Sequence, residues 1–441
     1  MSLHALLQRR AAAGRPVRAA LIGAGKFGSM FLSQVPTTPG LELSGIADLA
    51  PDRAREACRR VGWPDERIAA TRFTDDAAAL IAADETEVVI EATGSPAAGI
   101  AHARAAIANG KHIVMVNVEA DALAGPLLAR QAERAGTVYS LAYGDQPALI
   151  CELVDWARAA GFEVIVAGKG TKYLPAYHAS TPETVWGHYG LTPEQAARGG
   201  MNPQMFNSFL DGTKSGIEMA AVANATGLTP PPDGLGFPPS GVDDLPRVLG
   251  LSNEGGALHH RGQVEVVSSL ERDGRPVFRD LRWGVYVVFE APHPYAARCF
   301  GEYGLITDPS GTRTAMYKPY HLIGLELGIS VLSAALRREP TGAPSGFRGD
   351  VVATAKRNLK AGEVLDGEGG ALVWGKLLPA AESLRIGGLP IGLAHRLALS
   401  HDVPAGRCLS WSDVRLDEAD PTLRFRRDME RAFAPTAEAA E

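Results

Sequence analysis

From Val17 to about residue 168 the chain alternates short apolar runs with Ala-rich amphipathic stretches. The runs are "VRAALIG", "LELSGIAD", "RIAATRF", "TEVVIEAT", "KHIVMVN", "TVYSLA" and "FEVIVAG". Short apolar runs of this kind predict buried strands, and segments such as "PDRAREACRRVG" and "SPAAGIAHARAAIANG" carry the helical period between them. Strands and helices in strict alternation predict an α/β fold, a Rossmann-type doubly wound parallel sheet.

Beyond residue 168 the pattern changes. "TKYLPAYHASTPETVWGHYG" leads into a helical "NPQMFNSFLDGTKSGIEMAAVANATG" and then a Pro/Gly-rich loop. Two longer β-like runs follow, "GQVEVVSSLERDG" and "LRWGVYVVFEA", and an apolar helix after Pro319. This predicts a central α+β substrate or dimerisation domain. The linker "EPTGAPSGFRGD" ends it, and a small β-rich unit closes the chain. The expected domains are residues 1–168, 169–345 and 346–441. Within the last, "RNLKAGEVL" and "HDVPAGRCLSWSDV" echo one another, and the tail "APTAEAAE" is expected to fray.

Composition narrows the function. Of 441 residues 46% are hydrophobic and 21% charged, which is ample for packed cores. A net charge of −6 without clusters argues against nucleic acid or an anionic membrane as the main partner. Cys58, Cys151, Cys299 and Cys408 show no CxxC or metal spacing and read as reduced thiols of a cytoplasmic protein. The basic "LLQRRAAAGRPVR" runs straight into a strand, so cleavage there would destroy an element. "HLIGLELGISVLSAAL" is short and broken by Glu326, which favours a buried helix over a membrane span.

The chemistry starts at Gly23, Gly25 and Gly28, a GxGxxG between a strand and a helix, with Lys26 and Phe27 inside it. The first glycine permits the turn, the second lets backbone approach a pyrophosphate, and the third lets helix pack on strand. Asp48 ends the second strand about 20 residues on, where a ribose diol would be bound. Asp48 favours NAD, whereas Arg53 and Lys26 can answer a 2′-phosphate, so NAD and NADP both stay open. Thr93, Gly94, Asn117 and Glu119 follow the fourth and fifth strands at the ligand edge of such a sheet, and Thr93 and Asn117 read equally as helix caps. Lys169 and Lys172 near a later strand end suit a phosphorylated or carboxylated substrate. Lys214 and Glu218 are four apart on one helical face, as a carbonyl-polarising or proton-shuttling pair or as a plain ion pair. Lys318, Tyr320 and His321 add candidates, and the sequence is silent on a metal.

The N-terminal motifs resemble the homoserine dehydrogenase and Gfo/Idh/MocA group of oxidoreductases. "AKRNLKAGEVL", "LPIGLA" and "VPAGRCLSWSDV" resemble a SAF domain, a small β-clip module. Together with "GKGTKYLPAYHASTPETVWGHYG" and "NPQMFNSFLDGTKSGIEMA", the chain resembles the deoxyxylulose-phosphate reductoisomerase-like enzymes. That resemblance implies NADPH-dependent conversion of 1-deoxy-D-xylulose 5-phosphate to 2-C-methyl-D-erythritol 4-phosphate in isoprenoid-precursor synthesis, aided by Mg²⁺ or Mn²⁺. It implies Lys169, Lys172, His178, Lys214 and Glu218 as substrate-site residues; Lys318 and His321 join them as substrate candidates. Asp48 departs from an NADPH pattern. The rival readings are a simple dehydrogenase of a hydroxy acid, polyol or homoserine-like substrate, and a non-catalytic carbohydrate- or partner-binding protein. A homo-oligomer is expected by analogy with such folds.

Overall fold

Six strands form one wholly parallel sheet: β1 (Val17–Ile22), β2 (Leu41–Ala47), β3 (Phe73–Thr74), β4 (Val88–Glu91), β5 (His112–Met115) and β6 (Tyr139–Leu141). Their order is β3-β2-β1-β4-β5-β6 in this computed structural model, which describes residues 2–434. The tail from Pro435, expected to fray, lies outside the described residues. That order reverses direction between β1 and β4, which opens a crevice at the carboxyl ends of those strands. Val88, Val89 and Ile90 on consecutive positions of β4 are fully buried, as a strand covered by helices on both faces requires.

The chain divides into two compact units. One comprises the chain up to Glu152 together with His321–Ser345. The apolar helix Gly328–Arg337 is the buried helix anticipated around Glu326, but it belongs to this first unit: Val331 and Leu332 sit in one core with Leu21, Ile90 and Val114. No helix among the described residues is long and apolar enough to cross a membrane. "RIAATRF" does not form the expected strand: it is the helix Asp65–Ala70 followed by the two-residue β3. Arg67, Ile68, Ala69 and Ala70 favour a helical turn, with Asp65 and Glu66 acidic in its first turn, and local preference prevails where so little sheet is available.

The other unit runs Leu153–Tyr320 and from Gly346 on. Its sheet joins β7 (Glu163–Thr171), β8 (Gln263–Ser268), β9 (Val285–Glu290) and β10 (Arg313–Lys318) in the order β10-β9-β7-β8. "FEVIVAG" is therefore β7 of this sheet and not a seventh strand of the parallel one. An apolar run is apolar in either setting, so its pattern cannot choose the partner strand. The long helical stretch is two helices, Pro203–Leu210 and Thr213–Thr226, broken where Gly212 takes φ +94° and the Asp211 carboxylate accepts the Thr213 N–H. The last segment contributes β11 (Gly349–Ala355), β12 (Val364–Asp366), β13 (Val373–Pro379) and β14 (His395–Ala398), paired β11 with β13 and β12 with β14. The two echoing segments meet: Leu359 and Val403 exchange reciprocal backbone bonds of 2.8 and 3.0 Å. The Lys356 side chain is buried and donates to the Ser180 and Gly370 carbonyls and to Asp211 Oδ2, at 2.6, 2.7 and 2.8 Å, which pins this β region to the start of the helix Thr213–Thr226.

Candidate functional site

In the first unit the glycine loop does what each position demands. Gly23 has φ +94°, and a Cβ there would lie 2.7 Å from the Ala92 carbonyl oxygen. A Cβ on Gly28 would meet the Gly23 carbonyl oxygen at 2.4 Å, so helix and turn touch only because both lack side chains. Gly25 is different: nothing lies within 4 Å of its Cβ position, and it caps the helix Lys26–Gln34 facing open space. A phosphate fits there, on free N–H groups at the positive end of a helix.

Beside the loop is a cavity of about 650 Å³ bounded by Gly25, Lys26, Asp48, Arg53, Glu56 and Arg60 among others. Asp48 braces its rim: Oδ2 accepts the Ala24 N–H and Oδ1 the Ala50 N–H, each at 3.0 Å. Phe27 instead turns partly into the core. Arg60 escaped the sequence reading, although Arg53, Glu56 and Arg60 follow the i, i+3, i+7 spacing of one helical face. Thr93 and Asn117 serve as hydrogen-bonded turn residues. Thr93 donates to Glu91 Oε1 at 2.6 Å; Asn117 caps the helix Val118–Arg134 and donates to the Ser95 carbonyl at 2.8 Å. Gly94 follows with φ +73°, and Glu119 lies in the first turn of that helix. Beneath them Glu91 is fully buried, with His102 Nδ1 3.2 Å from Oε1 and Oε2 unpartnered, a group that no periodicity in the chain singles out.

The second unit holds a buried ion pair. Lys169 on β7 and Glu218 on the helix Thr213–Thr226 are 6% and 5% exposed, and Lys169 Nζ donates to Glu218 Oε2. Lys214 is half-buried one turn earlier on the same helix. Lys318 on β10 and Lys169 are both registered opposite Val285 of β9, so the two lysines share one sheet face about 10 Å apart, two strand spacings. His321 falls in the first unit and is half-buried.

Lys172 does not converge with Lys169. Its ammonium donates to the His188 carbonyl and lies 5.4 Å from the Tyr189 ring centroid. His178 is locked in place: Nδ1–H donates to the Asp211 carbonyl at 2.7 Å, Nε2 accepts from the Tyr173 hydroxyl at 2.9 Å, and Trp374 stacks on the ring at 3.8 Å. Burial pushes this imidazole down to about 4, so it is neutral at physiological pH and both nitrogens are committed. It borders a 190 Å³ cavity with Phe237, Trp374 and Lys376. Among the described residues no three His, Cys, Asp or Glu side chains gather as a metal-binding set.

These features meet two known families. Residues 23–141 match the homoserine dehydrogenase NAD-binding domain, and residues 144–327 match the catalytic domain of oxidoreductase DRL. Fold, loop and matches together define the chain as an NAD(P)-dependent oxidoreductase. A 1-deoxy-D-xylulose 5-phosphate reductoisomerase of Thermus thermophilus is 35% identical over 118 residues, 27% of this chain and 30% of that protein. Among solved structures, the myo-inositol dehydrogenase of Lactobacillus casei in complex with NAD(H) and myo-inositol aligns at 14% identity and TM-score 0.29, over 39% of this chain and 50% of its own. The WlbA dehydrogenase of Chromobacterium violaceum aligns at 17% and 0.27, over 36% and 45%.

Proposed function

We propose that the protein is an NAD(P)H-dependent oxidoreductase of a small phosphorylated ketose or polyol, with 1-deoxy-D-xylulose 5-phosphate the first substrate to try. The observation that carries this reading is the buried Lys169–Glu218 pair, a general acid and a general base side by side in the unit that carries the DRL match. Gly25 and the first turn of the helix Lys26–Gln34 would hold the nucleotide pyrophosphate. Lys26, Arg53 and Arg60 around the adjoining cavity favour NADPH, their charges answering a 2′-phosphate. When bound, the nicotinamide supplies the reducing equivalent. Glu218 would take the proton of the hydroxyl beside the substrate carbonyl, and a C–C bond would migrate to the carbonyl carbon as Lys169 gives its Nζ proton to the carbonyl oxygen. Glu218 would return its proton to the oxygen of the newly formed carbonyl as that carbonyl is reduced, and Lys169 would regain a proton from solvent. His178, Tyr173 and Trp374 hold the helix start and β13 in register as positioning residues. We read the region from Gly346 on as the SAF-like module, supported by its two mutually paired echoing segments.

The test is nicotinamide absorbance over time with the full-length protein, deoxyxylulose phosphate, and NADPH or NADH in parallel. Faster oxidation of NADPH is the expected result. No oxidation of either, in a protein shown to bind a nicotinamide, would overturn the substrate; equal use of both would overturn the role given to the three cations.

A further inference from the structure

"GKGTKY" separates its two lysines with a glycine, and the structure shows what that glycine accommodates. The turn Leu281–Gly284, closed by a 2.9 Å bond from the Gly284 N–H to the Leu281 carbonyl, lies flat against Gly170. A Cβ on Gly170 would sit 1.9 Å from the Leu281 carbonyl oxygen and 2.9 Å from the Arg282 nitrogen, and the Gly170 N–H donates to the Gly284 carbonyl at 3.1 Å. Only a glycine lets this turn dock at the end of β7, and docking brings the Arg282 backbone against Gly170, two residues before Lys172.

The surroundings of these cations are one-sided. The Arg282 guanidinium stacks over Trp283 at 4.7 Å, and the nearby Asp280 carboxylate accepts the Arg282 backbone N–H. Among the described residues neither Arg282 nor Lys172 has a carboxylate partner. The Tyr177 ring packs on His188 with centroids 4.9 Å apart, and Tyr189 lies under Lys172. Neither phenol hydroxyl makes a hydrogen bond to the described residues. Arg282 acts electrostatically on Lys172, Tyr177 and Tyr189 alike, and with burial it holds the Lys172 ammonium below its usual range. Lys172, the Tyr189 ring and the His188 carbonyl meet, with Tyr177 packed on His188 and the turn that carries Arg282 docked two residues from Lys172. Like charges near one another, neither in an ion pair, are costly, and a bound anion relieves that cost.

We infer that Lys172, Arg282, Tyr177 and Tyr189 form an oxyanion subsite that grips the phosphate of the substrate, leaving Lys169 and Glu218 for the proton transfers. This rests on the reading of the function given above for the substrate, but not for the anion. Arg supplies a fork for two phosphate oxygens, and Lys a point charge, the division usual in phosphate recognition.

The experiment is calorimetric titration of inorganic phosphate into the full-length protein, with acetate alongside, for wild type, Arg282→Gln and Lys172→Met. Wild type is expected to bind phosphate in the millimolar range and acetate more weakly; each variant is expected to lose about tenfold or more in phosphate affinity. NADPH affinity is expected to stay unchanged in Arg282→Gln, which separates a substrate phosphate from a nucleotide one. Circular dichroism of both variants checks their folding, and Arg282→Gln keeps the turn should Lys172→Met misfold. Absence of phosphate binding, acetate binding as tight, unaltered affinity in both folded variants, or weakened NADPH binding each overturns the subsite. If phosphate binds as expected while deoxyxylulose phosphate is not turned over, the subsite stands and only the substrate falls.

Discussion

At Lys169 and Glu218 two opposite charges are taken out of water together, and each is tolerable only because of the other. Removing one leaves an uncompensated buried charge, at about 3–5 kcal/mol. Glu218→Gln should therefore lower stability in urea unfolding and also lower kcat by about 10²–10⁴-fold. The double change Lys169→Met with Glu218→Leu should recover most of the stability and none of the turnover; recovered turnover would assign the pair a structural role alone. His178 gives a pH signature. Its folded value is held near 4 against an ordinary 6.5, so its contribution is fully present above pH 6.5 and is lost as pH falls from there toward 4. The stability difference between wild type and His178→Asn should shrink by about 3 kcal/mol between pH 7 and pH 4, measured by urea unfolding at each pH.

Among elements, the glycine loop separates folding from binding. Gly28→Ala forces a methyl onto the Gly23 carbonyl, and a cooperative thermal transition should be lost or lowered by many degrees. Gly25→Ala meets nothing within 4 Å and keeps φ −68°, which any residue adopts, so stability should stay within about 0.5 kcal/mol of wild type. On the proposed placement of the pyrophosphate, the added methyl would stand in its approach, and nucleotide affinity should fall about tenfold or more in a fluorescence titration. Both glycines were visible in the sequence, since turn, approach and packing glycines have fixed spacing. Arg282 was not: its turn docks on Gly170 from more than a hundred positions later, and nothing in the local pattern points to that partner.

For the whole molecule, the nucleotide-binding unit draws its last core helix from residues far along the chain. A fragment ending at residue 160 lacks Leu327, Val331 and Leu332 and exposes the faces they cover, so it should show no cooperative melt by circular dichroism. Joining His321–Ser345 to it through a flexible linker should restore the melt and nucleotide binding; a fragment that melts cooperatively without this segment would refute the assignment. Buried strands, amphipathic helices and the GxGxxG loop follow from spacing within a few residues, and so the sequence by itself determined the doubly wound sheet, the nucleotide cleft and the class of enzyme. The partner of β7, the pairing of Lys169 with Glu218, the docking of Lys356 on Asp211 and the docking of the Leu281–Gly284 turn on Gly170 all join distant segments. Only the tertiary structure decided these, because a local pattern states how apolar or charged a segment is and leaves open which distant segment will cover or neutralise it.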